Sequence, residues 1–248
     1  MKDLLKDIDN LKASLDRLRP FSKEQLKNIE EYFEVAYTYD SNRIEGNTLT
    51  LQETALVINK GVTIGGKSMR EHLEAINHYE AIGYVKDIIK SKITFTETIL
   101  KDIHMMVLKV IDNENAGRYR EIEVRIAGSK FIPPLYFKIP ELMEEYFEFY
   151  ENNKTNLHPV LLASDMHEKL VTIHPFTDGN GRTARLLMNL ILLQNGYTIA
   201  SIPGDVDKRI EYYNALEKVQ TENDLTEFRI LIAKEVKRGL DEYLKIVR

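Results

Sequence analysis

The spacing of apolar residues along this chain is mostly helical. Leu26, Ile29, Phe33, Ala36 and Tyr37 recur three and four positions apart, which lines one face of a helix as core. That helix opens on a capping-box pattern, Ser22-Lys23-Glu24-Gln25, and extends to Glu45, where Gly46 stops it. A charged amphipathic helix precedes it over residues 1 to about 22, broken near Pro20, which pushes the residue before it out of helical angles. Capping boxes at Thr50 to Glu53 and Ser68 to Glu71 predict two more helices, with a glycine-containing loop, Gly61 to Lys67, between them. Thr94 to Glu97 opens another, ending near Ile111. Further helices are predicted from Glu141 to Asn152, Val160 to Ile173, Leu186 to Gln194, Asp205 to Gln220 and Leu225 to Ile246.

One stretch breaks this rhythm. After a turn cluster at Asn113 to Gly117, Ile122, Val124 and Ile126 alternate with polar residues, the period of a strand. Ala127-Gly128-Ser129-Lys130 makes the turn, and Phe131-Ile132 the short return before Pro133-Pro134. A lone hairpin in a helical chain exposes its edges, a liability unless another chain uses them.

Composition adds limits. With 248 residues, 43% hydrophobic and 29% charged, the chain is an ordinary globular sequence with enough length for a sizeable core. A net charge of -5 argues against a broad nucleic-acid surface. Cysteine is absent, so disulfides and thiolate metal sites are excluded. No run approaches the roughly 20 apolar residues of a membrane span, and the charged opening MKDLLKDIDN lacks a signal-peptide core; a cytoplasmic protein is expected.

The chemistry concentrates in residues 174–185, His-Pro-Phe-Thr-Asp-Gly-Asn-Gly-Arg-Thr-Ala-Arg. This is a turn-rich loop entering a helix, whose first N–H groups have no internal partner and favour an anion. Arg182 and Arg185 lie on one face of that first turn, where the helix dipole disfavours cations. A polyanion between them accounts for both. Asp178 adds a hard oxygen ligand for a metal and His174 a candidate base, so the stretch describes a nucleotide-handling site. Taken singly, His-Pro and Gly-Asn-Gly are common turns, and Asp178 or Asn180 could serve only as a helix cap. Glu45, near the end of its helix, is either a solvated acid or the partner of a cation elsewhere; local physics leaves both open. His167-Glu168 begins a zinc-protease pattern, but Val171 stands where the second histidine belongs, so zinc hydrolysis is excluded. His72, His78 and His104 fall at no ligand spacing and are structural or solvated.

The complete string resembles the signature of the Fic family, His-Pro-Phe-x-Asp/Glu-Gly-Asn-Gly-Arg-x-x-Arg, at every fixed position. Ser41-Asn42-Arg43-Ile44-Glu45-Gly46 is similar to that family's inhibitory motif. The resemblance implies an all-α fold, a Fic-type helical bundle with one β-hairpin flap. It divides the chain into an N-terminal helical region, residues 1–92, carrying the motif at 41–46, and a catalytic core, residues 93–248. The flap would lie at about 121–132 and hold a target segment by strand addition.

The implied reaction is transfer of AMP from ATP to a hydroxyl of a target protein, or of the enzyme itself, with Mg²⁺ as cofactor. His174 would be the base and Asp178 the metal ligand. Gly179, Asn180 and Gly181 would form the anion hole, with the Asn180 side chain assisting; Arg182 and Arg185 would take the β- and γ-phosphates. Tyr213, with Tyr212 as second candidate, would lie against the adenine. Glu45, on the helix that also carries Ser41, would pair with Arg185 and inhibit. Three alternatives remain: removal of AMP with Glu45 orienting water, transfer of another phosphate-linked group, or a nucleotide-sensing or toxin–antitoxin module. Neither nucleic acid nor membrane is expected as partner, and a homodimer is left open.

Overall fold

The computed structural model describes the chain except Ala127 and Arg248, and the side chains except those of residues 23–26. Among the described residues, ten α-helices follow in order: α1 (Lys2–Asp16), α2 (Lys23–Ile44), α3 (Leu51–Lys60), α4 (Met69–Lys90), α5 (Glu97–Leu108), α6 (Ile139–Asn153), α7 (Pro159–Ile173), α8 (Asn180–Gln194), α9 (Val206–Glu222) and α10 (Thr226–Val247). A 3-10 turn, Tyr136–Lys138, leads into α6.

Local signals explain most of the starts. Thr50 and Glu53 form a reciprocal capping box on α3, and Ser68 and Glu71 do the same on α4. Thr96 caps α5 and Asp205 caps α9 through their side-chain oxygens. The expected box at the start of α2 involves Glu24 and Gln25, and Leu26 belongs to the expected apolar stripe; all three lie outside the described side chains.

The core is built around α7 and α8. These two helices pack along each other, α8 also meets α4 and α5, and α7 meets α6 and α10. From Leu186 to Leu192 every residue of α8 is buried, as expected of a helix surrounded by others. Ile8 and Leu15 of α1 join the same core as Phe228 and Leu240 of α10. A smaller cluster, Leu49, Val57 and Ala75, lies beneath α3. No helix among the described residues is long and apolar enough to cross a membrane.

The expected hairpin is the main correction. No strand is present among the described residues, and those of 121–132 form an extended loop. Its turn is closed by the Ser129 N–H donating to the Ile126 carbonyl at 3.2 Å, without a ladder between the arms. Ile122 and Ile132 are each 59% exposed, so the alternating residues have no layer to be buried against. An isolated two-stranded ribbon is marginal without such a layer, and period-two patterning alone does not supply one. Ala127, placed in the expected turn, lies outside the described residues. Two boundaries also move. α1 ends at Asp16, and α8 begins at Asn180, well before the apolar run at Leu186.

Candidate active site

The chain leaves α7 at His174, whose left-handed backbone (φ 53°) turns it sharply into the loop to α8. That conformation costs a non-glycine residue energy, so the surroundings must hold it. They do so through Phe176, which is fully buried, its ring stacked on His104 at 3.6 Å between centroids. The Asn180 side chain closes the loop, accepting from the Phe176 N–H at 3.0 Å and donating to the Phe176 carbonyl at 2.8 Å. The amide oxygen and one amide N–H thus serve the loop, which the expectation of a role in the anion hole did not foresee.

His104 completes the buttress. The Gly117 N–H donates to its Nδ1 at 2.9 Å, so Nε2 carries the proton and donates to the Asp178 carbonyl at 2.9 Å. Burial lowers its pKa to about 4, which keeps the ring neutral. Gly179 has a left-handed backbone (φ 75°) that strains any side chain, and a Cβ there would press on Val107 at 3.3 Å and His104 at 3.4 Å.

Arg120 is the second residue that sequence patterns did not mark. It is only 3% exposed, and among the described residues no carboxylate is bonded to it. Its guanidinium instead donates to the carbonyls of His174 (2.9 Å), Ile122 (2.8 Å) and Pro134 (2.6 Å). It ties both ends of the 121–132 loop to the backbone of the candidate base. No period could reveal either residue, since their partners lie far away in sequence.

His174 itself donates from Nδ1 to the Val171 carbonyl at 3.2 Å, leaving the Nε2 lone pair available. Burial lowers its pKa, an effect that the bond to Val171 opposes and Arg120 reinforces. The neutral ring is therefore the dominant form at neutral pH.

At the start of α8, the N–H groups of Asn180, Gly181 and Arg182 have no acceptor among the described residues. They are an open anion site of the kind helix N-termini provide. Arg182 and Arg185 flank it, 2% and 1% exposed. Nε of Arg182 and Nη1 of Arg185 are buried without a hydrogen bond, and Nη1 of Arg182 has only a long ion pair, to Glu74 Oε1 at 3.5 Å. A buried, charged N–H left without a hydrogen bond is costly, which points to an anion as the missing partner.

Arg185 is otherwise held by the end of α2. Its Nε donates to Ser41 Oγ and its Nη2 to the Ser41 carbonyl, both at 2.9 Å. Nη2 also pairs with Glu45 Oε1 at 2.6 Å. Burial alone would lower the pKa of Arg185, but Glu45 together with Tyr212 and Tyr37 outweighs it and the net shift is upward. Glu45 also stands over the anion site itself: a Cβ added to Gly181 would collide with its Oε1. Its carboxylate thus occupies the space above the free N–H groups.

Asp178 has one oxygen turned inward, Oδ1, which accepts from the Gly179 N–H at 2.6 Å and Arg182 at 3.3 Å. Oδ2 faces outward to Arg70 at 2.6 Å. Burial raises the pKa of this carboxyl, yet Arg182, the Gly179 N–H and Arg70 together bring it below the usual value. No group of three or more acidic or histidine ligands able to hold a metal is found among the described residues. A lone ionised carboxylate beside an anion site suits Mg²⁺, which is commonly shared between one or two carboxylates and phosphates.

The two tyrosines separate. Tyr212 is 1% exposed, its hydroxyl bonded to His167 Nε2 at 2.9 Å and its ring flanked by Tyr213 and Phe228, so it has no face for a base. That expectation is corrected: the paired aromatic is core. Tyr213 is 44% exposed and donates to the Ile44 carbonyl at 2.9 Å, immediately beside Glu45.

Comparison with known proteins agrees with this geometry. Residues 94–192 match the model of the Fic/DOC family. "Protein adenylyltransferase Fic" of Drosophila grimshawi is 35% identical over 244 residues, covering 98% of this chain and 47% of that protein. "Protein adenylyltransferase fic-1" of Caenorhabditis elegans is 34% identical over 247 residues, again 98% and 47%. The chain therefore spans about half the length of the curated relatives it matches. A Fic domain containing signaling protein from Bacteroides thetaiotaomicron superposes with a TM-score of 0.88 at 29% identity, over 97% of both chains. Signature loop, helical frame and relatives converge: this chain carries a Fic/DOC-family domain.

Proposed function

We propose that this chain transfers AMP from ATP to a Ser, Thr or Tyr hydroxyl of a protein, itself included, and that Glu45 restrains the reaction. The observation that carries this reading is the pair of buried arginines with unbonded N–H groups beside the open N-terminus of α8. The relatives named protein adenylyltransferase support the same class.

In this scheme the free N–H groups of Asn180, Gly181 and Arg182 bind the phosphate chain as it gains charge. Arg182 takes the β-phosphate and Arg185 the γ-phosphate. His174 Nε2 accepts the hydroxyl proton as the oxygen bonds to the α-phosphorus, and the α–β bridging oxygen leaves with pyrophosphate. Asp178 would hold Mg²⁺, which when bound neutralises charge developing on the leaving group. Tyr213 is the aromatic offered to the adenine once it parts from Ile44. Glu45 opposes all of this, because it takes the cation meant for the γ-phosphate and sets a carboxylate in the anion site. Target recognition belongs to the 121–132 loop, whose unpaired arms offer main-chain groups to an incoming strand.

The test uses the full chain with α-³²P-labelled ATP and Mg²⁺. Label on protein in Glu45→Gly, absent when His174→Ala is added, is the expected result. Label that survives His174→Ala contradicts the mechanism.

One observation favours a second activity. Glu45 Oε2 has no bonding partner among the described residues, and the side chain is 33% exposed. That oxygen is available to accept a proton from water attacking the phosphorus of an AMP-modified protein. Release of AMP from modified protein that requires Glu45 would support removal as well as transfer.

A further inference from the structure

The cation on the outer oxygen of Asp178 has no part in the scheme above. Arg70 stands in the first turn of α4, where the helix dipole disfavours positive charge. Its Nη2 donates to Asp178 Oδ2 at 2.6 Å, across a separation of 108 positions, and its Nε donates to Glu74 Oε1 at 3.1 Å. Glu74 is in turn anchored by Asn47 Nδ2 at 3.0 Å. This is a built arrangement, not a passing surface contact, because Glu74 aims the guanidinium at the loop.

The two oxygens of Asp178 differ in what they do. Oδ1 is committed to the signature loop through Gly179 and Arg182. Oδ2 is the oxygen a hard divalent cation would need, and Arg70 covers it. The three arginines around the loop also differ in freedom. Arg182 and Arg185 have side chains 3% and 1% exposed, whereas that of Arg70 is 56% exposed. Arg70 alone of the three can swing out without leaving a buried charge behind.

We infer that Arg70 is a resident counter-cation of the metal site, holding the outer oxygen of Asp178 until a divalent cation displaces it. The inference rests on the reading of Asp178 as the metal carboxylate. Arg70 is then a positioning residue that sets metal affinity. In the metal-free protein it holds the outer oxygen of Asp178 in place, so the ligand waits in its binding geometry. The metal must break the ion pair to bind, and the bond from Nε to Glu74 keeps the released guanidinium beside the site. An exposed pair of this kind shifts an equilibrium by about two- to fivefold.

Mn²⁺ provides the probe, with free Mn²⁺ read by electron paramagnetic resonance. The full chain is titrated as wild type, Arg70→Ala, Arg70→Lys and Asp178→Ala, with and without a non-hydrolysable ATP analogue. Circular dichroism melts establish that each variant is folded. The expected result is Mn²⁺ binding about two- to fivefold tighter in Arg70→Ala, near wild type in Arg70→Lys, and lost in Asp178→Ala. Equal or weaker binding in Arg70→Ala, with loss in Asp178→Ala, overturns the role of Arg70 and leaves the metal ligand standing. Undiminished binding in Asp178→Ala overturns both.

Discussion

Two loops meet at this site, and they are built in opposite ways. The loop from His174 to Gly179 is clamped by internal partners: Asn180 closes it, His104 stacks beneath it, and Phe176 is fully buried. The loop from 121 to 132 is tied near its ends, by Arg120 and by Glu123 accepting from the Tyr136 N–H, and its apolar side chains at 122 and 132 face solvent. The difference separates two tasks. Groups that stabilise charge must be in place before the reaction, because reorganising them during it costs rate. Groups that receive a partner chain must be left unpaired until it arrives.

The largest effect expected on this contrast comes from breaking the closed loop. Asn180→Ala removes both partners of the buried Phe176 peptide groups, and each unsatisfied group costs about 1–3 kcal/mol. A clear fall in melting temperature is expected, together with loss of AMP transfer in the Glu45→Gly background. An unchanged melting temperature would mean that the loop does not depend on its clamp.

Acid acts next. His104, held near pKa 4 by burial, is neutral in the folded protein, whereas unfolding returns it to about 6.5. Between those values the unfolded state binds more protons, so stability falls as pH drops from about 6.5 towards 4. The loss attributable to His104 is at most about 3 kcal/mol. Buried His78 and His167 are shifted in the same direction and add to it. Urea unfolding at pH 7 and pH 4.5, repeated on His104→Gln, measures the share of this residue. The lowered pKa of His174 has a separate kinetic consequence: kcat/KM should fall only below the ordinary histidine range, since the neutral ring is the active form.

The smallest effect on stability is expected at the open loop. Ile122→Ser and Ile132→Ser alter exposed side chains, so stability should change by no more than about 0.5 kcal/mol. Transfer to a protein target should nevertheless weaken, with hydrolysis of ATP to AMP unaffected. A large drop in melting temperature would show that these residues serve the fold and not a partner.

Legibility from sequence follows the range of the interactions. The boxes at Thr50–Glu53 and Ser68–Glu71 were readable because donor and acceptor lie three residues apart. The signature residues were readable because their chemistry lies within one short string, and the Glu45–Arg185 pairing followed from family resemblance. His104, Arg120 and Arg70 were not readable, since each acts on a segment distant in sequence. The alternation at Ile122, Val124 and Ile126 predicts a hairpin that no strand among the described residues confirms, because alternation reports what a strand could bury, not whether a layer exists to bury it. Tyr212 was misplaced because paired tyrosines on a helix do not say which one faces inward.

The claim on which the account turns is that Glu45 withholds Arg185 and the anion site from ATP. The most direct measurement is the initial rate of AMP transfer by wild type and by Glu45→Gly, under identical ATP and Mg²⁺ and with folding verified. Restoring one charge-assisted phosphate contact, worth about 1.5–3 kcal/mol, predicts a rate at least about tenfold higher in Glu45→Gly. Equal rates, with His174-dependent transfer present in both, would contradict the account.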